Sequence, residues 1–147
     1  MSSAVFYGFM IYYIYKIEKE GVAMKKKEFK ENLFEALSNE VDDLTYDEKI
    51  RFVEKLIVDY QKDNDNKREK RNHGLPWKDD ELRIVLQGAP TSYNCMRFAK
   101  LFGRGYGSIE QIYRWAATDM ESIKEKRPDD AFVLQIKRIA KELGWRA

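Results

Sequence analysis

Few side chains here can do covalent chemistry. Cys95 is the only cysteine and His73 the only histidine among 147 residues. A disulfide within the chain needs two thiols, and a His/Cys zinc site built by one chain needs more ligands than this. Cys95 lies in an apolar helical pattern, where a small buried hydrophobe is a better reading than a nucleophilic thiol. His73 stands in a charged stretch, a poor place for a general base. The chain is therefore expected to be no enzyme and to take no cofactor, metal or small-molecule substrate. What the residue types do offer is recognition. Gln111 and Arg114, three apart, carry the side chains that bond adenine and guanine edges, and the methyl of Thr118 can meet a thymine methyl. Arg97, Lys100 and Arg104 suit phosphate contacts, which orient a protein on a duplex without reading it. Ser108 completes this expected DNA-binding set.

Those residues need helices to aim them. Ser108-Ile109-Glu110-Gln111 reads as a capping box opening a helix that runs to about Thr118. In that helix Ile109, Ile112, Tyr113 and Ala116 share one face at 100° per residue, and Gln111, Arg114 and Thr118 share the opposite one. Glu110 and Trp115 flank the two faces, and Trp115 is expected to pack against the C-terminal helix. Before it, Arg104-Gly105-Tyr106-Gly107 reads as a turn. Gly103 ends a second helix that begins near Ser92 and carries Met96, Ala99, Leu101 and Phe102 as its apolar set. Gly88-Ala89-Pro90-Thr91 separates that helix from a first one. The first is opened by Pro76 and Trp77, with Leu82, Val85 and Leu86 inside and Asp79, Asp80 and Glu81 against its N-terminal dipole. Helix, helix, short glycine-containing turn, helix is the skeleton of a helix-turn-helix.

The stretch Pro76-Trp77-Lys78-Asp79-Asp80-Glu81-Leu82, followed by Phe98-Ala99-Lys100-Leu101-Phe102-Gly103-Arg104 and Ser108-Ile109, resembles the Myb-like (SANT, homeodomain-like) pattern. That pattern has a Trp followed by acidic residues, an A-x-x-x-G-R close to the second helix, and a small–aliphatic pair opening the third. The likeness covers about forty residues, in a single unit. It implies sequence-specific duplex DNA binding, as in transcription regulation in a bacterium, phage or mobile element, and so a cytoplasmic protein. It leaves two other uses open: a SANT-type protein-interaction module, for which Asp79, Asp80, Glu81 and Glu110 form an acidic side, or a DNA-packaging or recombination accessory protein. A single unit also needs help from a dimer, an arm or an extra helix to hold DNA usefully.

The rest of the chain is read for that help. Net charge is only +2, but residues 62–147 carry 18 basic and 13 acidic side chains, against 9 and 12 in residues 1–61. Positive charge thus gathers where phosphates would be met. Residues 4–15 (AVFYGFMIYYIY) form an apolar run too short for the roughly 20 residues that span a membrane. That leaves a short membrane anchor, a helix buried in an oligomer or sequence outside the functional protein. The last is the expected reading, and a membrane partner is not expected. Lys19-Glu20-Gly21 back-translates to codons that can spell a bacterial ribosome-binding sequence two codons before Val22-Ala23-Met24. Translation is therefore expected to start at Met24, leaving residues 1–23 outside the native protein. Phe29, Leu33, Phe34 and Leu37 predict an amphipathic helix over about 25–38. Thr45-Tyr46-Asp47-Glu48 is a capping box for another helix, which carries Ile50, Val53, Leu56, Ile57 and Tyr60. The two are expected to form a helical hairpin over 24–61, a candidate homodimer surface across 25–61 or simply packed on the chain itself. Residues 62–74 have no apolar side chain and read as an exposed linker, whose Lys67, Arg68, Lys70 and Arg71 can serve as a basic arm. Pro128-Asp129-Asp130 opens a final helix with Phe132, Val133, Ile136, Ile139, Ala140 and Leu143 inside and Lys137, Arg138 and Lys141 outside. It braces the unit at 75–147. The expected fold is all-α: a helical hairpin, a charged linker, a three-helix helix-turn-helix unit and a C-terminal bracing helix.

Overall fold

The protein is described by a computed structural model that covers residues 8, 10, 11, 21 and 23–146. The expectations for residues 1–23 fall almost wholly outside the described residues. The chain is all-α and divides into two compact units, Met1–Leu44 and Thr45–Ala147. In the first unit, α1 (Lys26–Ser38) forms where the periodicity places a helix, yet it buries no residue. Among the described residues no helix is long and apolar enough to cross a membrane.

The second unit starts at the Thr45 capping box, in which Thr45 Oγ1 accepts from the Glu48 N–H at 3.3 Å and Glu48 Oε2 from the Thr45 N–H at 2.8 Å. It comprises α2 (Tyr46–Asp63), a short 3-10 turn (Asp65–Lys67), α3 (Asp79–Gln87), α4 (Ser92–Phe102), α5 (Tyr106–Ala117), α6 (Met120–Lys126) and α7 (Ala131–Glu142). This division corrects the expected hairpin over 24–61. The break falls inside it, at Leu44, and α2 belongs with the helices that follow because it packs on α4 and buries Val58 in the common core.

Helix α5 is the centre of this unit, packing on α3, α4 and α7. Leu82 and Val85 of α3, Ala99 of α4, Ile109, Ile112 and Ala116 of α5 and Ile136 and Ile139 of α7 are all fully buried. Each fully buried Leu, Ile or Val contributes about 1.5–3 kcal/mol over leaving it in water. Tyr113 extends from α5 to the C-terminal end of α3, its hydroxyl donating to Val85 O at 2.6 Å, with Gly88 O at 3.2 Å. Burial pushes the Tyr113 hydroxyl up to about 12. Trp145, just past the left-handed stop at Gly144, stacks on Tyr113 and donates from Nε1 to Leu86 O at 3.0 Å. The C-terminal helix thus braces the unit as expected.

Three local expectations need correction. Helix α3 starts at Asp79, two residues after Trp77, because the Trp77 carbonyl accepts from Gln135 Nε2 at 3.0 Å and its ring sits edge-on to Phe102. Helix α6 has no counterpart in the sequence reading. Asp119 caps it through the Ser122 N–H at 2.8 Å, and Ile123 anchors it in the core. The linker expected over residues 62–74 is only partly exposed, with Asn64, Asp65, Arg68, Lys70 and Asn72 half-buried. Residues 64–76 form a strap over the turn between α4 and α5, held by polar bonds in place of apolar ones.

Candidate nucleic-acid interface

Two helices and a tight turn build the site. Thr91 caps α4 by accepting from the Asn94 N–H at 3.1 Å. At the other end Gly103 adopts φ +60, and the Arg104 N–H reaches back to Ala99 O at 2.9 Å. A left-handed residue followed by such a backward bond is the usual glycine termination of a helix. Glycine is doubly required, since a Cβ at 103 would lie 2.7 Å from Cγ of Arg71.

Helix α5 then begins at Tyr106, three residues earlier than its sequence suggests, and Ser108 lies inside it rather than capping it. Gly105 at the N-cap has no side chain to offer. The cap comes from 41 residues away: Asp65 Oδ2 accepts from the Tyr106 N–H at 3.0 Å. Asp65 is in turn held by Arg68 at 2.9 Å and Lys70 at 3.6 Å. Partial burial would raise the Asp65 carboxyl, but the Tyr106 N–H, Arg68 and Lys70 outweigh it and hold the group below the usual carboxylate range.

The same strap satisfies the end of α4. Arg68 donates to Ala99 O at 3.4 Å and to the Arg104 carbonyl. Asn72 donates from Nδ2 to Phe102 O at 2.7 Å and from its backbone N–H to Gly103 O at 3.0 Å. The last carbonyls of a helix lack intrahelical partners, and here they find them in a segment that looked like a solvated arm. Arg68 and Lys70 are therefore spent on the fold, which corrects the basic-arm expectation for those two.

Of the seven residues expected to meet DNA, the fold leaves four well exposed. Gln111 and Arg114 lie outward on α5, opposite Ile109, Ile112 and Ala116, and neither side chain has a hydrogen bond or ion pair among the described residues. Arg97 and Lys100 are exposed on α4, with Arg97 over the Phe98 ring at 4.9 Å. Both border a groove shared with Val58, Gln61, Tyr93 and Leu101. Thr118 ends α5, half-buried, its hydroxyl donating to Arg114 O at 2.7 Å.

Two residues leave the set. Arg104 is only 4% exposed. Its guanidinium donates to the Leu75 carbonyl and to Pro76 O at 3.1 Å, stacks over Trp77 at 4.3 Å and lies 3.9 Å from Glu81. A phosphate cannot reach it without unpicking that corner, so Arg104 is a bolt between strap and turn. Ser108 lines a different cavity, with Trp77, Arg104 and Phe132, away from the groove of Arg97 and Lys100.

Two lysines support the face unseen by sequence pattern. Lys62 pairs with Glu110 at 3.6 Å, offsetting the one acid on the flank of α5. Lys137, expected on the solvent side of α7, instead caps the C-terminus of α5, donating to Ala116 O at 3.0 Å and Thr118 O at 2.7 Å. Burial pulls its ammonium below the ordinary lysine value, against the opposing pull of Asp119.

Residues 71–147 match the family described as "Uncharacterised protein PM1205 C-terminal domain". Over 124 residues the chain is 48% identical to "Uncharacterized protein PM1205" of Pasteurella multocida (strain Pm70), a match that covers 84% of this chain and 99% of that protein. No solved structure matches. The family match begins at Arg71, inside the strap, whereas the compact unit begins at Thr45. With that extent of match and that identity, the chain belongs to the PM1205 family.

Proposed function

We propose that this protein binds duplex DNA sequence-specifically through α5, as a Myb-like helix-turn-helix acting in transcription control of a bacterium or mobile element, and hence in the cytoplasm. One observation carries the reading: α5 is buried on three sides yet turns Gln111 and Arg114, both unpaired, to solvent. A polar stripe with no internal partner on a helix held this rigidly suits insertion in a major groove. Arg97 and Lys100 on the preceding helix supply the phosphate contacts.

The protein-interaction alternative would use the acidic side chains of the same unit, and these are already engaged. Asp79 pairs with Arg138 at 2.9 Å, Asp80 with Arg83 at 2.7 Å, and Glu110 with Lys62 at 3.6 Å. Glu81 accepts from the Lys78 N–H at 2.9 Å. DNA is the better-supported partner. A packaging or recombination role would use the same face within a larger ring-like assembly, which light scattering distinguishes.

Fluorescence anisotropy against a randomised duplex pool, followed by selection of bound oligonucleotides, tests the reading. Affinity is expected to fall steeply with salt, as counterion release requires. Arg114→Ala is expected to cost about 1–3 kcal/mol on the selected site and to relax its base preference. Lys100→Ala is expected to weaken all sequences alike. Absence of binding to any duplex at low salt refutes the proposal, and equal, sequence-independent losses from both variants remove Arg114 from base reading.

A further inference from the structure

We propose that the cleft formed by the start of α6, the outer stripe of α7 and the chain after Gly144 binds a small organic anion, with a carboxylate or phosphate head on an apolar body. Gly144 adopts φ +82, and the Trp145 N–H reaches back to Ala140 O at 3.0 Å. That stop folds Trp145 and Arg146 back on α7, where they and Met120, the first residue of α6, wall a cleft of about 590 Å³. Small-molecule sites occupy about 300–1,000 Å³. On α7, Leu134, Lys137, Arg138 and Lys141 share one arc of about 100°. It faces away from the buried Ile136 and Ile139.

The lining has two halves. Leu134 is 41% and Met120 36% exposed, and with Ala140 and Trp145 they give the cleft an apolar floor. Around it stand Lys137, Arg138, Lys141 and Arg146, and no acid lines it. Two of these cations are already engaged, Lys137 with Ala116 O and Thr118 O and Arg138 with Asp79 and Glu142. Lys141 and Arg146 have no hydrogen bond or ion pair among the described residues. A lone unpaired lysine is ordinary on a surface. Two unpaired cations meeting over a concave apolar floor draw an anion into it, because low-dielectric walls focus their field. A duplex phosphate would use the cations and leave Leu134, Met120 and Trp145 without a role. A small anion with a ring or branched chain uses both halves, the make-up of a ligand site. Two of the walls also hold α5. Lys137 caps its C-terminus, and the Trp145 ring stacks on Tyr113. An occupant therefore touches both braces of that helix.

The test is a titration of the full chain, without DNA, followed by nitrogen–proton correlation spectra. The probes are phenylacetate and phenyl phosphate, with phenylacetamide as the uncharged counterpart of the first. At least one anion is expected to saturate shifts at the Trp145 indole N–H and the Lys141 amide, with smaller shifts at Ala116 and Thr118. Phenylacetamide is expected to bind at least about tenfold more weakly, since hydrogen bonds to charged groups are the stronger kind. The double variant Lys141→Gln/Arg146→Gln is expected to raise the anion's dissociation constant at least about tenfold for the same reason. Its circular dichroism should be unchanged, because both side chains are exposed and unpaired. Leu134→Ala is expected to weaken binding about threefold through lost apolar contact. Failure of both anions to saturate overturns the proposal, as does equal binding of phenylacetamide. Shifts centred away from Trp145 and Lys141, or a double variant that binds like wild type, overturn it too. The titration contains no DNA, so its failure leaves the base-reading result at Arg114 standing, and the converse holds.

Discussion

Arg104 has the residue type of a phosphate contact and the position of a structural bolt. Its guanidinium satisfies the carbonyls of Leu75 and Pro76 and covers the face of Trp77. Removing it leaves two carbonyls of the strap without their donor and Glu81 without its nearby cation. Arg104→Ala is expected to cost about 2–4 kcal/mol of stability, the range for breaking a buried charged network on one side. Arg104→Lys should recover little, since an ammonium cannot reproduce a forked, stacked guanidinium. Urea denaturation measures both. DNA affinity per folded molecule should be unchanged, and a loss of affinity without a loss of stability would return Arg104 to the interface. Cys95, by contrast, behaves as its sequence context suggests: it is buried, and burial together with Glu110 pushes its thiol up, away from reactivity.

Among the elements, α5 is the one whose ends are made elsewhere. Its N-terminus is capped by Asp65 of the strap and its C-terminus by Lys137 of α7. The first cap gives stability a pH signature. Asp65 is held below the usual carboxylate range in the folded protein, so the unfolded chain takes up the proton first as pH falls. The contribution of Asp65 is therefore fully present above the unfolded value of about 4 and is lost as pH falls through the lower folded value. Asp65→Asn is expected to be less stable at neutral pH, and the gap to wild type should close on acidification. Thermal melts from pH 7 down to 3 check this. A constant gap over that range would mean that the carboxylate charge has no part in the cap.

At the scale of the whole molecule, the family match and the physical unit start at different places. A chain cut to residues 71–147 keeps the matched segment but loses Asp65, Arg68 and the Val58 anchor of α2. A chain cut to residues 45–147 keeps them all. The longer piece is expected to melt cooperatively with native-like helicity, and the shorter one to melt lower, with the α4–α5 turn the first region to exchange its amide hydrogens. Equal protection of that turn in both pieces would show the strap to be dispensable. The sequence alone determined the all-α class, the Thr45 cap, the opening of the final helix at 128–130, the stop at Gly103 and the outward stripe of Gln111 and Arg114, because all of these follow from periodicity and from bonds between residues within four positions of each other. It misplaced the start of α5 and misread the strap, Lys137 and Arg104, because those depend on contacts spanning 19 to 41 residues, which local pattern cannot register. Whether a cation faces DNA or a carbonyl is decided by which unsatisfied helix end the fold brings to it. That narrows the proposed interface from seven residues to a core of Arg97, Lys100, Gln111 and Arg114, with Thr118 at its edge.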